Sequence, residues 1–470
     1  MAESVQTISG RLHVKRGNRR NLYAAIAIPA LLSALVLILI SKMGVIVAAG
    51  GVLLFFTGSI ILLKGDVLSR SIYIFFLIQF AMSLFIPLSL FVTIISLLLF
   101  PLAFKRDAPL NGLTTPPYIK PLLLLFSGWL ISLIYLSITN YGVFKYFFIY
   151  DIFFFLGLIS AYEMFIAFRL KILTPDKLIP YIALSGLVML CVVIGKYFVE
   201  GVALSMIFKE RLGTSIEINP NFITSYLDMA LPCAFFTAFF EKRSLAKKTF
   251  FYMASFAFVC AVLLSATRGS LPGIGILVAY AIWRKRSKRL LLGVALCAAV
   301  ATVTVGAPMV KRIANPTTLE IMSNMGRVEL LRSAFKVLKD NHYFFGIGMN
   351  NFSQIKFSYG FPQWLDTKRL MSSHNFFVEI WLGCGLLGLL GWLYVNAAIV
   401  LSILRKYKDN YAANAVAFAI IAFAAHGLFD SVCANFSMML TYFSLMGIAF
   451  FLIKEGHTKS PSSDADPVTS

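Results

Sequence analysis

Charge is scarce in this chain of 470 residues. Asp, Glu, Lys and Arg together make up 13%, and the 21 acidic residues are outnumbered by 42 basic ones. With 59% hydrophobic residues and a mean hydropathy of +0.82, too little polar surface remains to coat a water-soluble fold. Cysteine is sparse and unpatterned. Cys191, Cys233, Cys260, Cys297, Cys384 and Cys433 fall in or at the ends of apolar runs, with no CxxC spacing, which excludes a disulfide framework and a zinc site. The basic start Arg11 to Arg20 leads straight into a full-length apolar run with no A-x-A-like site after it, so no cleavable signal peptide is expected. There is no repeat of fixed period, and no pair of Gly/Pro-broken spans of the kind that marks inverted-repeat transporters.

Long hydrophobic runs fill the chain instead. An apolar run of about 18 residues or more can cross a hydrocarbon core as a helix. Such runs lie near 21–40, 44–63, 71–86, 88–104, 121–139, 147–168, 181–198, 221–240, 249–266, 271–283, 290–308, 376–404, 412–429 and 437–453. That gives fourteen spans, or twelve if the pair split by Pro87 and the short run 271–283 are broken elements. The expected fold is an all-α polytopic membrane protein of about 12–14 transmembrane helices. With the N-terminus inside, the cytoplasmic segments hold 27 of the 42 Lys and Arg, and the short outer connections hold 6. This asymmetry sets the orientation and accounts for most of the net charge of +21 without a nucleic-acid partner.

The expected organisation is a basic cytoplasmic N-terminus over 1–20, a helix bundle over 21–308, a periplasmic loop domain over 309–375, further spans over 376–453 and a disordered cytoplasmic tail over 454–470. Both termini are then cytoplasmic, in the inner membrane. Segment 309–375 is too long for a connector and too polar for a span. Within it Val328, Leu331, Ala334, Phe335 and Leu338 recur at helical spacing on one side, with Arg327, Arg332, Lys336 and Lys339 on others; the pattern reads as an amphipathic helix capping the bundle or lying in the headgroup layer. Gly346-Ile347-Gly348 reads as a turn, and Gly383, Gly385, Gly388 and Gly391 as a close helix-packing face.

The chemistry-bearing residues gather at the outer face. Arg211 lies in the loop 199–220, just before Asn219-Pro220-Asn221. Arg268 sits in the tight connection Thr267-Arg268-Gly269-Ser270, and His374 in Ser373-His374-Asn375 closes the large loop. A guanidinium held at a short corner beside the bundle is costly to desolvate without an anion, and its planar fork matches phosphate oxygens. A neutral imidazole beside it can accept a hydroxyl proton. His426 and Asp430, spaced i, i+4, are expected to share a helix face as a self-satisfied pair or as support for the site. The acids of the large loop, Glu320, Glu329, Asp340 and Asp366, show no ligand spacing, so neither metal nor cofactor is expected.

Taken in order, Arg211-Leu-Gly-Thr with Asn219-Pro-Asn221, Thr267-Arg-Gly-Ser270, Gly326-Arg-Val-Glu-Leu-Leu331 with Gly346-Ile-Gly348, and His374-Asn-Phe-Phe-Val-Glu-Ile-Trp-Leu-Gly383 followed by Gly-Leu-Leu-Gly388 resemble the O-antigen ligase superfamily of ligases, polymerases and bacterial O-oligosaccharyltransferases. The resemblance covers roughly residues 200–400 and extends to His426 and Asp430. It implies a metal-independent glycosyltransferase of the GT-C type working at the periplasmic face. The donor would be a glycan on undecaprenyl diphosphate, and the acceptor in the ligases lipid A–core oligosaccharide. Carried over, Arg211 and Arg268 would bind the diphosphate, and His374 would position or deprotonate the acceptor hydroxyl. Arg327, Asn221 and Asn375 would contact substrate, and His426 and Asp430 would support them.

Polymerisation of the same lipid-linked units is the nearest rival, and the sequence separates the two poorly. A flippase or transporter for lipid-linked sugars would instead place charged residues along a path through the mid-membrane. A purely structural membrane component gives no reason for arginines and a histidine to converge.

Overall fold

The computed structural model describes residues 69, 72–73, 76–77, 116–139, 144–169, 171–239, 244–285, 318–349, 351–366, 372–431 and 436–458. Two compact units divide the chain, Met1–Ile72 with Leu90–Asp107 and Tyr73–Ser89 with Ala108–Ser470. The architecture that follows belongs to the second. The spans expected at 21–40, 44–63, 88–104 and 290–308, most of 71–86, and both chain ends lie outside the described residues.

Among the described residues there are helices and turns and no strand. The helices longer than one turn are α1 (Ile119–Thr139), α2 (Phe144–Arg169), α3 (Pro175–Val199), α4 (Pro220–Phe239), α5 (Leu245–Leu264), α6 (Leu271–Lys285), α7 (Thr318–Val337), α8 (Phe376–Lys406), α9 (Tyr411–Gly427) and α10 (Phe436–Thr458). Six of them, α1, α3, α4, α5, α8 and α10, are long and apolar enough to cross a membrane, and α9 is a shorter apolar helix. Most expected spans coincide with a helix to within a few residues. The exceptions at an end are α10, which runs to Thr458 and so takes up the start of the expected tail, and α3, which begins at Pro175 rather than 181: one proline opens the helix where its missing N–H costs nothing, and Pro180 is carried inside.

The hub is α4, apolar on nearly every face and buried along almost its whole length, with α3, α5 and α9 packed around it. Elsewhere α8 packs on α1 and α10 on α2. A Cβ on Gly128 of α1 would stand 2.4 Å from the backbone nitrogen of Gly388, and one on Gly391 would stand 2.5 Å from that of Leu125. Two helices meet there backbone to backbone, a contact that only glycine permits. Gly383 and Gly385 do other work, against the large loop. At Gly385 α8 is broken, with φ 65° and ψ −174°, and a Cβ there would overlap the Phe344 carbonyl. The loop takes over the backbone groups the break releases: Leu386 N–H donates to Tyr343 O at 3.2 Å and Ile347 N–H to Leu382 O at 2.5 Å.

The large loop has its own core. Leu330, Ala334, Val337 and Leu338 pack with Ile347, Phe352, Ile355, Phe361 and Leu365 against Val378 and Leu382 of α8. The amphipathic helix exists as α7, and its buried face is in part the expected one, since Ala334 and Leu338 are buried and Leu331 packs at its edge, but it is turned from the rest. Val328 and Phe335 are exposed, while Leu330, Ser333 and Val337 face inward. An apolar stripe flanked by further apolar residues such as Val328 and Phe335 does not fix rotation about the helix axis; the partner surface does. Lys356, almost wholly buried, pairs with Asp366 at 2.9 Å and lies 5.0 Å and 5.3 Å from the Phe357 and Phe361 ring centroids. Gly346 and Gly348 both take positive φ, as the expected turn requires.

Candidate functional site

At one end of the bundle the close of α5, the openings of α4 and α8 and the exit of α9 converge with the loop that follows α3. That loop is pinned to the helices around it. Gly213 N–H donates to Tyr197 Oη at 3.0 Å, Lys196 Nζ to Ile216 O at 2.7 Å, and Leu212 N–H to Leu264 O at 3.1 Å. Arg211 is thereby delivered to the corner after α5. Its Nε donates to Ser265 O at 2.7 Å, and its Nη2 to Asn221 Oδ1 at 2.8 Å and Thr267 Oγ1 at 3.0 Å.

Asn221, in the first turn of α4, joins this corner to the rest. Its oxygen accepts from Arg211 and its Nδ2 donates to Asp430 Oδ2. Asp430 Oδ1 in turn lies 2.8 Å from His374 Nδ1 and accepts from Ser431 N–H at 2.8 Å. Arg211, Asn221, Asp430 and His374, from four separate stretches of chain, form one continuous hydrogen-bonded run. A carboxylate only accepts, so a proton sits on Nδ1 of His374, and in the neutral ring the lone pair is then on Nε2.

Burial pushes the Asp430 carboxyl up, but the hydrogen bond from His374 and the charges of His374, His426 and Arg327 outweigh it. The net effect holds Asp430 well below the usual carboxylate range. Arg327, half-buried on α7, therefore stands close enough to act on this carboxylate.

His374 is held by its neighbours on both sides. Ser373 N–H and Oγ donate to Glu379 Oε2 at 3.0 and 2.9 Å. Asn375 caps α8, accepting from Val378 N–H at 3.0 Å, and its Nδ2 donates to Leu428 O at 3.0 Å. Between these anchors His374 adopts φ 53°, in the left-handed region that non-glycine residues seldom occupy. Both ends of the Asn375 amide are spent on this local architecture.

Arg268 opens a three-residue helical turn, Arg268–Ser270, next to Thr267. Its guanidinium is exposed and makes no hydrogen bond or ion pair with a described residue. The other three residues at this end are anchored; Arg268 alone among them projects.

The structure corrects the expected pairing of His426 with Asp430. Helix α9 ends at Gly427, so Asp430 lies in the following turn and not on a shared helix face. The i, i+4 spacing implies a common face only while the helix continues. Each finds another partner. His426 Nδ1 lies 2.6 Å from Asp228 Oδ2, with both side chains essentially inaccessible, and Asp430 takes His374. Asp228 and Ser225 were not singled out from the sequence, and Thr267 and Ser270 only as the flanks of Arg268. For Asp228 a signal existed, a carboxylate eight residues inside an apolar run.

Among the described residues no group of three or more His, Cys, Asp or Glu is arranged to hold a metal ion.

An all-helical bundle with six helices long and apolar enough to span a bilayer, carrying apolar side chains such as Phe198, Val199, Leu245 and Met253 on its exterior, is that of a multi-pass membrane protein. Residues 253–393 match the family model described as O-Antigen ligase, so the resemblance to the O-antigen ligase superfamily holds. The matched stretch includes Arg268, Arg327, His374 and Asn375; Arg211, Asn221, His426 and Asp430 lie outside it. Members of that family are glycosyltransferase-like enzymes. No curated protein matches the chain.

Proposed function

We propose that this protein is a metal-independent membrane glycosyltransferase of the GT-C type, an O-antigen ligase. It would transfer a glycan from undecaprenyl diphosphate to lipid A–core oligosaccharide at the periplasmic face of the inner membrane, with both termini cytoplasmic. Segment 309–375 would be the periplasmic domain seated on the bundle. The observation that carries the reading is the hydrogen-bonded run from Arg211 through Asn221 and Asp430 to His374, beside a guanidinium at Arg268 that makes no hydrogen bond or ion pair with a described residue.

Such an arrangement suits displacement at an anomeric carbon. The Nε2 lone pair of His374 takes the proton of an acceptor hydroxyl, whose oxygen forms the new bond to the anomeric carbon. The bond from that carbon to the phosphate oxygen breaks, and its electron pair leaves with undecaprenyl diphosphate. Charge accumulates on the diphosphate as it departs, where Arg268 can grip two oxygens and the anchored Arg211 adds a fixed positive field. Asp430, held ionised, keeps the His374 tautomer and stabilises the imidazolium that forms. Arg327 adds positive charge from the loop side.

The test is transfer in vitro by the purified full chain, with a defined lipid-linked donor and either lipid A–core or a second lipid-linked unit as acceptor. Product on lipid A–core supports ligation, and chain extension of the lipid-linked unit alone would replace ligase by polymerase. His374→Ala and Arg268→Ala should each fold yet lose nearly all transfer, and Arg268→Lys should not restore it, because one ammonium cannot reproduce a two-pronged grip. Retained transfer in both alanine variants would remove the site assignment.

A further inference from the structure

Directly behind Arg268 lies a second histidine–carboxylate cluster. Asp228 projects from the middle of α4 and His426 from the last turn of α9, and both are 0–1% exposed. Their contact is 2.6 Å, and Ser270 Oγ joins them, 3.0 Å from the same Asp228 oxygen and 3.1 Å from His426 Nδ1. Ser225 Oγ approaches the opposite ring nitrogen at 3.4 Å. Burying a carboxylate and an imidazole in the apolar heart of a bundle is expensive, so the cluster needs a purpose that packing alone does not supply.

What it grips is the Arg268 turn. Ser270 is the last residue of that turn and is bound through its hydroxyl. Gly269, the middle one, lies flat on the imidazole, and a Cβ there would come within 2.9 Å of His426 Cδ2. The next helix is equally close, since a Cβ on Gly273 would meet Ala422 at 2.9 Å. On the other side of Arg268, Thr267 is bonded to Arg211. The exposed guanidinium thus stands on backbone fixed at both flanks. The same histidine also governs the other arm. Its carbonyl accepts from Phe429 N–H at 2.9 Å and from Asp430 N–H at 3.2 Å, and Asp430 holds His374.

We propose that Asp228, His426 and Ser270 form a positioning cluster that sets Arg268 against His374. The ring of His426 fixes the arginine turn from below, and its carbonyl fixes the turn that carries Asp430. The cluster reaches no reacting atom, so its members are positioning residues and not catalytic ones. This inference rests on the reading of Arg268 as a diphosphate ligand.

The experiment measures binding of undecaprenyl diphosphate to the purified full chain in detergent, together with donor KM and kcat. The variants are Ser270→Ala, Asp228→Asn, Arg268→Lys and the pairs built on Arg268→Lys. Ser270→Ala and Asp228→Asn should each weaken binding by about tenfold, the scale of one misdirected charge-assisted hydrogen bond, and raise donor KM more than they lower kcat. On the Arg268→Lys background either change should add less than about twofold, because its effect passes through the guanidinium. Wild-type affinity in both variants, or the same loss on both backgrounds, would overturn the positioning role. Wild-type chain that fails to bind undecaprenyl diphosphate, or Arg268→Lys that binds normally, would instead sink the diphosphate reading itself. Ser270→Ala removes a single oxygen, so it carries the test if Asp228→Asn does not accumulate.

Discussion

Replacing Asp430 with asparagine swaps one oxygen for an amide nitrogen, and the structure shows why that small change sets two halves of the site against each other. Asp430 accepts at both oxygens, from His374 Nδ1 and Ser431 N–H at Oδ1 and from Asn221 Nδ2 at Oδ2. An asparagine can keep only one of these faces. If its oxygen turns to His374, its NH2 meets the NH2 of Asn221, and Asn221 can flip only by abandoning Arg211 and Thr267. If its nitrogen turns to His374, the imidazole is forced into the other tautomer, and Nε2 carries a proton where it should accept one. Even the milder outcome removes the negative charge that stabilises the imidazolium. A hydrogen bond to a charged group is worth about 1.5–3 kcal/mol, which converts to a loss of about 10- to 150-fold in transfer rate.

The assay is single-turnover transfer from a lipid-linked donor at saturating acceptor, with thermal unfolding in detergent as a check on folding. A double-mutant cycle sharpens it: on a His374→Ala background Asp430→Asn should cost almost nothing more, because its action runs through the ring. Undiminished transfer by folded Asp430→Asn, or a loss that simply multiplies with that of His374→Ala, would refute the reasoning.

Three further outcomes are expected. Gly385→Ala should destabilise the protein by about 3 kcal/mol or more, since it adds both a positive-φ penalty and a clash with the Phe344 carbonyl; thermal unfolding reads it directly. Lys356→Met should loosen the large loop by about 3–5 kcal/mol, because Asp366 loses its buried cation, and limited proteolysis within 318–366 should accelerate. For His342, burial pushes the imidazole below its ordinary value, and Asp340 offsets this in part. As pH falls the unfolded chain therefore takes up the proton first. The stability this residue contributes is full above about pH 6.5 and is lost as pH falls through the lower folded value. His342→Phe, which keeps a ring against Tyr135, should flatten the fall in melting temperature between about pH 7 and about pH 5, and an unchanged slope would contradict this.

Much of this was legible in the residues alone, for reasons that differ from element to element. The limits of α1, α4, α5 and α8 follow from apolar runs that end in polar corners, and the map of apolar runs and charges was enough to bring Arg211, Arg268 and His374 to one end. Partner identity was not legible. His426 and Asp430 look like a pair only if α9 continues past Gly427, and nothing local says that it stops there. Asp228 announces itself as a costly residue, but only the packing of α4 on α9 reveals that it holds a histidine. Rotation of α7 was likewise undetermined, because Val328 and Leu330 are equally apolar and the surface formed by Val378 and Leu382 makes the choice. The break at Gly385 was hidden inside a run of glycines that serves helix contact at Gly388 and Gly391.

That break has a bearing on biogenesis. The residues that plug it, Tyr343 to Ile347, leave the ribosome before α8 does, and until they dock the donors and acceptors around Gly385 have no protein partner. Final seating of α8 must therefore wait for the preceding loop to fold against it. Changes in 343–347 should show themselves first as slowed maturation and degradation of the nascent chain, ahead of any defect in the mature protein.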